Sequence, residues 1–217
     1  MMLETEARIR KFQAKDRAAV RQIAYDTALM GESAGLFFQG QEVISDAFSL
    51  YFTDYEPESC FVAEINGQVV GYLIGATKKV CAEAIFNGKL ALPLFLKALT
   101  SGIFLMIRNI IFILSCVKDL LVNGIKTPDF NRQYPATFHL NIKDGFRGRE
   151  LGPKLIAGFL EYLKNQSVGG VHLATMSDRS AKFFLSQGFT QLYKGKRSYF
   201  RHILHRDVPL YIFGKLL

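Results

Sequence analysis

Cysteine is scarce in this chain: Cys60, Cys81 and Cys116 are the whole supply in 217 residues, far apart and with no C-x-x-C pair. An odd, scattered set argues against a disulfide framework and a zinc site, and fits a reducing cytoplasm. Long hydrophobic runs are missing too. The most apolar stretch is interrupted by Arg108, leaving uncharged runs of 10 and 9 residues on its two sides, too short to span a bilayer. No G-x-x-x-x-G-K-S/T or G-x-S-x-G pattern occurs, which leaves NTPase and serine-hydrolase readings without their machinery. The opening Met1-Met2-Leu3-Glu4-Thr5-Glu6 has neither the basic nor the apolar region of a secretory leader. Internal repeats and low-complexity segments are also absent.

What is present describes a folded chain, with 49% hydrophobic and 21% charged residues. The length suffices to bury a real core, and the expectation is a single domain over 1–217. A formal charge of +8 favours an anionic partner: nucleic acid, an anionic membrane or a phosphorylated cofactor. The basic residues form no long tract. Lys194, Lys196, Arg197, Arg201 and Arg206 make only a loose cluster, so a nucleic-acid face is not the preferred reading.

Periodicity sets out the elements. Ala7 to Phe12 alternates as a strand, and Asp16 is placed to cap a helix over Arg17 to Leu29 with Val20, Ile23, Ala24 and Thr27 on one face. Gln41 to Tyr55 reads as a second amphipathic helix through Val43, Ile44, Ala47, Phe48 and Tyr51. Strands over Cys60 to Ile65 and Gln68 to Ala76 meet at Asn66-Gly67, a strong hairpin signal. Beyond residue 134 come a strand at 136–142, a helix from Gly152 to Lys164, a strand from Val171 to Met176, a short helix from Arg179 to Ser186, a strand from Phe189 and a last one at Leu210 to Phe213. Strands mixed with helices, plus a hairpin, predict an α/β (α+β) mixed sheet with helices on both faces.

The turn Phe146-Arg147-Gly148-Arg149-Glu150-Leu151-Gly152-Pro153 joins the strand at 136–142 to the helix after it. Such a glycine-punctuated turn leaves backbone N–H groups aimed at one point beside the positive end of a helix dipole. Arg147 and Arg149 add charge suited to phosphate oxygens. The pattern predicts a pyrophosphate cradle.

Four segments in this order resemble the GNAT superfamily of acetyl-CoA-dependent N-acetyltransferases: Ile9-Arg10 with Asp16 and the following helix; Phe61 to Tyr72; Arg147 to Gly152, similar to the R/Q-x-x-G-x-G/A cofactor loop; and Ser180-Ala181-Lys182-Phe183-Phe184 with Gly188-Phe189, similar to the A-x-x-F-Y-x-x-x-G-F block. The resemblance covers about three quarters of the chain. It implies a GNAT-like fold with a helical insertion at 78–134 between the third and fourth strands, acetyl-CoA as co-substrate, no metal, and a small-molecule or protein amine as acceptor. It further implies that the cofactor lies on Leu140, Asn141, Ile142, on Arg147, Gly148, Arg149, Glu150, Leu151, Gly152 and Pro153, and on Ser180, Phe183 and Phe184, where the strands at 136–142 and 171–176 splay apart. Two residues depart from the family's pattern. Glu150 stands at the middle glycine, and Phe184 stands where many members carry a tyrosine that protonates the departing thiolate.

The base is open between two candidates. His139 is the only group at the start of the strand at 136–142 that titrates in a useful range; water relayed from a more distant carboxylate is the other. His172, His202 and His205 carry little functional weight, although His202 and His205 are three apart beside Asp207. In the insertion, Ser101 to Val122 reads as one apolar helix whose polar members Ser101, Arg108, Ser115 and Asp119 recur at spacings of 7, 7 and 4. Its apolar surface is expected in a buried packing or homodimer contact, with an acceptor pocket or lid, or a membrane surface, as the alternatives.

Overall fold

The computed structural model describes residues 7–124 and 127–217. The opening hexapeptide and two residues of the insertion lie outside the described residues.

The seven strands are β1 Ala7–Lys11, β2 Phe61–Ile65, β3 Gln68–Ala76, β4 Ala136–Ile142, β5 Gly170–Thr175, β6 Thr190–Arg197 and β7 Val208–Leu216. They form one sheet in the order β1-β2-β3-β4-β5-β7-β6, antiparallel except for the β4–β5 pair. The β2–β3 hairpin turns through Asn66 and Gly67, both left-handed at φ 50° and 76°. Two positive φ values match the twist of the flanking strands.

Helices cover both faces. α1 (Arg17–Thr27) and α2 (Gln41–Tyr55) pack with Val62, Tyr72 and Ile74 on one side. α6 (Leu151–Asn165) and α7 (Asp178–Ser186) cover the other, where Leu155, Phe159, Phe138, Leu173 and Phe213 interlock. Side chains of this size each stabilise the fold by about 1.5–3 kcal/mol when fully buried. Alternation in β4 sends Phe138 into the α6 core while His139 meets Phe52 of α2, with ring centroids 5.4 Å apart.

Two local expectations are corrected. Asp16 precedes α1 but does not cap it with its side chain. It is 4% exposed, and both of its oxygens take Arg10, at 2.6 and 2.8 Å, while Oδ2 also accepts the Gln13 N–H. The inner face of α2 consists of Ser45, Asp46, Ser49 and Thr53 besides Tyr51 and Phe52, and Ala47 is exposed. Small hydroxyl residues let α1 approach closely, with Ser45 Oγ donating to Arg21 O at 3.0 Å.

The insertion is helical but not as the periodicity suggested. It comprises α3 (Lys79–Ile85), a π-turn (Phe86–Leu90), α4 (Ala91–Thr100), a 3-10 turn (Ile103–Leu105) and α5 (Ile107–Asn123). Gly102, left-handed at φ 67°, breaks the expected 101–122 helix, because that conformation ends a right-handed helix. The last helix, α8 (Arg201–Leu204), lies between β6 and β7.

Candidate functional site

β4 and β5 are paired only at Ala136↔Val171 and Thr137↔His172. Past that point β4 stays with β3 as far as Ile142, and β5 stays with β7 as far as Thr175. From Phe138 onward, therefore, the β5-facing edge of β4 has no strand partner. The closed end of this fork is clasped by His172, whose Nδ1 lies 2.6 Å from Tyr134 O. Burial lowers the pKa of His172, so the neutral ring donates from Nδ1 and its role is to hold the fork.

At the open end, Arg147 to Glu150 lead into α6. Gly145, Gly148 and Glu150 have φ of 79°, 80° and 56°. Left-handed residues alternating with ordinary ones turn successive N–H groups toward one point, which forms an anion-binding concavity. Among the described residues, the N–H groups of Gly148, Arg149 and Glu150 have no protein acceptor. A pyrophosphate fits this arrangement. Pro153, in the first turn of α6, has no N–H to give and fixes the chain direction instead. A Cβ on Gly152 would come within 2.9 Å of the Phe183 ring and 3.8 Å of Ile142 Cδ1, so glycine lets the start of α6 sit close to the fork.

Glu150 occupies a left-handed position, which explains why glycine suits it; its side chain is exposed. Arg147 does not extend toward the concavity. Its Nε donates to Ile142 O at 3.2 Å and its Nη2 to Gly31 O at 2.8 Å, so the guanidinium ties the loop to the end of β4 and to the α1–α2 connection. Arg149 is exposed, with its guanidinium 5.3 Å from the centre of the Phe146 ring, and remains near the N–H cluster.

Of the β4 residues, Leu140, Asn141 and Ile142 line the open arm. Asn141 Nδ2 donates to Tyr72 Oη at 2.7 Å, anchoring this segment to β3. His139 is exposed on one side, and its ring meets Phe52 edge-on on the other. Burial, then repulsion by Lys79, pushes its pKa down to about 4, and the ring is neutral at pH 7. On α7, Ser177 Oγ caps the helix by accepting the Ser180 N–H at 3.3 Å, and Phe183 lies half-buried against Gly152. Phe184 is 6% exposed and packs against Phe138, Phe189 and Phe213, so its ring builds the wall behind the fork. One open concavity of about 570 Å³ lies between α6 and β1, with Lys154 on its wall, and β2 and β3 separate β1 from the fork.

A half-split parallel pair with an N–H cradle at its open end, inside this strand order, decides the fold. The chain has the GNAT fold. The protein solved as SsHAT superposes with a TM-score of 0.72 at 25% identity over 97% of this chain and 98% of that one. A Drosophila melanogaster polyamine N-acetyltransferase gives 0.60 at 14% identity over 98% and 100%. A putative acetyltransferase from Salmonella typhimurium, solved with acetyl-CoA, gives 0.58 at 15% over 98% and 95%. By sequence, no protein-family model matches the chain and none of the curated proteins does.

Within this GNAT framework, the insertion covers the α1–α2 connection and the segment between β6 and β7. α5 lies on the α1–α2 connection: Asn109 is fully buried, accepts the Gln39 N–H at 2.6 Å and donates to Gln39 O and Ile103 O at 2.7 Å each. At the other end of α5, Asp119 accepts from Ser198 Oγ and Asn123 Nδ2, both at 2.8 Å, and from the Ser198 N–H. Burial opposes its ionisation, but the Ser198 and Asn123 bonds outweigh that and hold its pKa low. Phe112, between them, packs on Phe37 and Phe200. Sequence reasoning missed Asn109, Gly31 and Tyr72. Their partners lie 70, 116 and 69 residues away, and nothing local signals them. His202 is tied to Ser115 at 3.2 Å. Among the described residues, no group of side chains is arranged to hold a metal ion.

Proposed function

We propose that this chain is an N-acetyltransferase that moves the acetyl group of acetyl-CoA directly to a primary amine in a ternary complex. The carrying observation is the fork: an unpartnered β4 edge at Phe138–Ile142 that ends at an N–H cradle. Main-chain groups of Leu140, Asn141 and Ile142 would bind the pantetheine amides and the thioester carbonyl. The N–H groups of residues 148–152 and the Arg149 guanidinium would take the pyrophosphate. Ser180 and Phe183, with Phe184 behind them, would form the far wall. The fold of the acetyl-CoA-bound relative from Salmonella supports this assignment.

In the reaction, the amine lone pair attacks the thioester carbon, forming C–N. The tetrahedral species then collapses by breaking C–S, and the amine proton leaves. Two features of the residues shape these steps. A thiol of pKa about 8.5 departs tolerably as thiolate near neutral pH, so a phenylalanine at 184 slows protonation without forbidding transfer. His139 faces the acceptor side as a neutral ring able to accept a hydrogen bond from the amine. A ring whose pKa is lowered is too weak a base to take the proton of an ammonium of pKa about 10.4 outright. The proton therefore passes on to water, with His139 orienting the amine.

An amine acceptor is in keeping with relatives named for polyamine, agmatine and ribosomal-protein alanine acetylation. A second reading, a catalytically weak CoA-binding module of the same fold, is favoured by Glu150 in the cradle and by Phe184. Titration with acetyl-CoA followed by free-thiol release across an amine panel separates the two. Binding with acceptor-dependent thiol release supports the enzyme, binding alone supports the module, and the absence of binding refutes both.

A further inference from the structure

α5 is built inside out. Its buried residues are Asn109 and Asp119, whereas its aliphatic residues face solvent. Ile107 is 70% exposed, Leu114 63% and Leu121 81%, and Leu105 in the preceding turn reaches 86%. Ile107, Ile111, Leu114 and Leu121 share one face of the helix, with Lys118 in the same row between the last two. The preceding helix adds Leu92, Phe95 and Leu99, each more than half exposed. A helix placed this way for its own fold's sake would bury the aliphatic side, and the hydrogen bonds of Asn109 and Asp119 lock it in the opposite orientation.

The charges around this surface indicate what covers it. Residues 84–118 contain no aspartate or glutamate; of their four cations, Lys97 is paired with Asp46 and Glu42 of α2 and Arg108 donates to Gly35 O, which leaves Lys89 and Lys118. Lys118 and Lys89 are both exposed. In a chain of net charge +8, an apolar stripe that carries an exposed lysine and no exposed acid of its own suits an apolar, negatively charged surface. A second copy fits less well, because a two-fold contact through α5 would set Lys118 near its own copy, and α5 exposes no acid to answer it. No helix among the described residues is long and apolar enough to cross a membrane, so contact would be in the interfacial plane.

We propose that the outer face of α4 and α5 docks on an anionic lipid bilayer, lying in its interface. The chain would then turn the α1–α2 connection, on which α5 lies, toward a membrane. The docking stands independently of the transfer chemistry and is tested without it.

The test is co-sedimentation of the full chain with phosphatidylcholine vesicles and with vesicles carrying about 30 mol % phosphatidylglycerol, beside light scattering of the protein alone. The expected result is a monomer that binds the anionic vesicles, binds the neutral ones far less, and is released as salt rises from about 0.05 to 0.5 M. Leu114→Glu with Leu121→Glu abolishes binding while the melting midpoint stays unchanged, since both side chains already lie in water. Lys89→Gln with Lys118→Gln weakens binding about 25-fold, at roughly fivefold per charge, and keeps the test decisive should the first pair fail to fold. Absence of binding by the wild type, or binding that ignores both pairs, overturns the proposal. So does a dimer that the Leu121→Glu change splits, which would identify a second copy as the occupant.

Discussion

The fork and the insertion are both rich in apolar side chains and use them in opposite senses. Around the fork, Leu155, Phe159, Phe138 and Leu173 are turned inward and none is more than 3% exposed. In α5 most aliphatic side chains point out while Asn109 and Asp119 point in beside Phe112, so that helix is fastened by hydrogen bonds and one aromatic contact. Hydrophobic burial is non-directional and scales with area, whereas a buried amide such as Asn109 demands particular partners in particular places. The difference teaches that apolar content shows how much surface seeks cover, while the polar residues decide which side receives it.

The sharpest contrast is in stability. Phe159→Ala should cost about 3–5 kcal/mol, because it empties a site bounded by Phe138 and Gly75 that cannot collapse freely. Leu121→Ala, removing a side chain already in solvent, should change stability by less than about 0.5 kcal/mol. Urea unfolding of both variants measures the gap. Equal losses would break the comparison and mean that the outer face of α5 is covered within the monomer.

Next in size is the ligand-linked effect at the cradle. At 100 times its Kd, acetyl-CoA should stabilise the wild type by about 2.7 kcal/mol. Gly152→Asp drives a side chain into Phe183 and sets a negative charge at the cradle, and Arg147→Ala unties the loop from Gly31 and Ile142. The double variant should lose nearly all of the thermal shift. Retention of the full shift would place the cofactor elsewhere.

A third variant works within the insertion alone. Asn109→Ala strands the Gln39 N–H and the carbonyls of Gln39 and Ile103, and should cost about 1–3 kcal/mol, more than any single truncation on the outer face of α5. Differential scanning calorimetry of Asn109→Ala beside Leu114→Ala tests the order of the two. If the leucine change costs more, α5 is held by burial after all.

Much of the sheet was legible because its signals are local. Asn66-Gly67 fixes a turn by φ alone, and the runs over Gln68–Ala76 and Gln41–Tyr55 carry their own bounds. The cradle was legible for the same reason, since a glycine-rich turn before a helix creates free N–H groups wherever it occurs. The side chain of Arg147 was not, because Gly31, its partner, is 116 residues away. The break at Gly102 was hidden by the strength of the apolar pattern on either side of it. The orientation of α5 also escaped, because periodicity finds a polar stripe without saying whether that stripe meets solvent or protein. Here Ser115 and Asp119 of the expected stripe face His202 and Ser198, while Arg108 is exposed and Ser101 falls before the break at Gly102, so only the second half of the stripe holds and it faces protein. Phe184 was placed correctly in its helix, but only packing shows that its ring closes the core behind the fork.

The smallest expected effect belongs to His139, and it is one of pH. Its folded pKa, about 4, lies below the ordinary value near 6.5. Between those values the unfolded chain holds the proton and the folded chain does not. Stability therefore falls as pH drops from about 6.5 toward 4 and is unaffected by this group above that window. His139→Gln should flatten that slope by the share His139 contributes, which a series of urea melts from pH 4 to 7 reads directly. The same depression predicts that kcat/KM for acetyl transfer shows no inflection from His139 between pH 6 and 8. An inflection near 6.5 that disappears in His139→Gln would mean that the ring sits in a wetter setting than Phe52 and Lys79 give it, and that it accepts the amine proton itself.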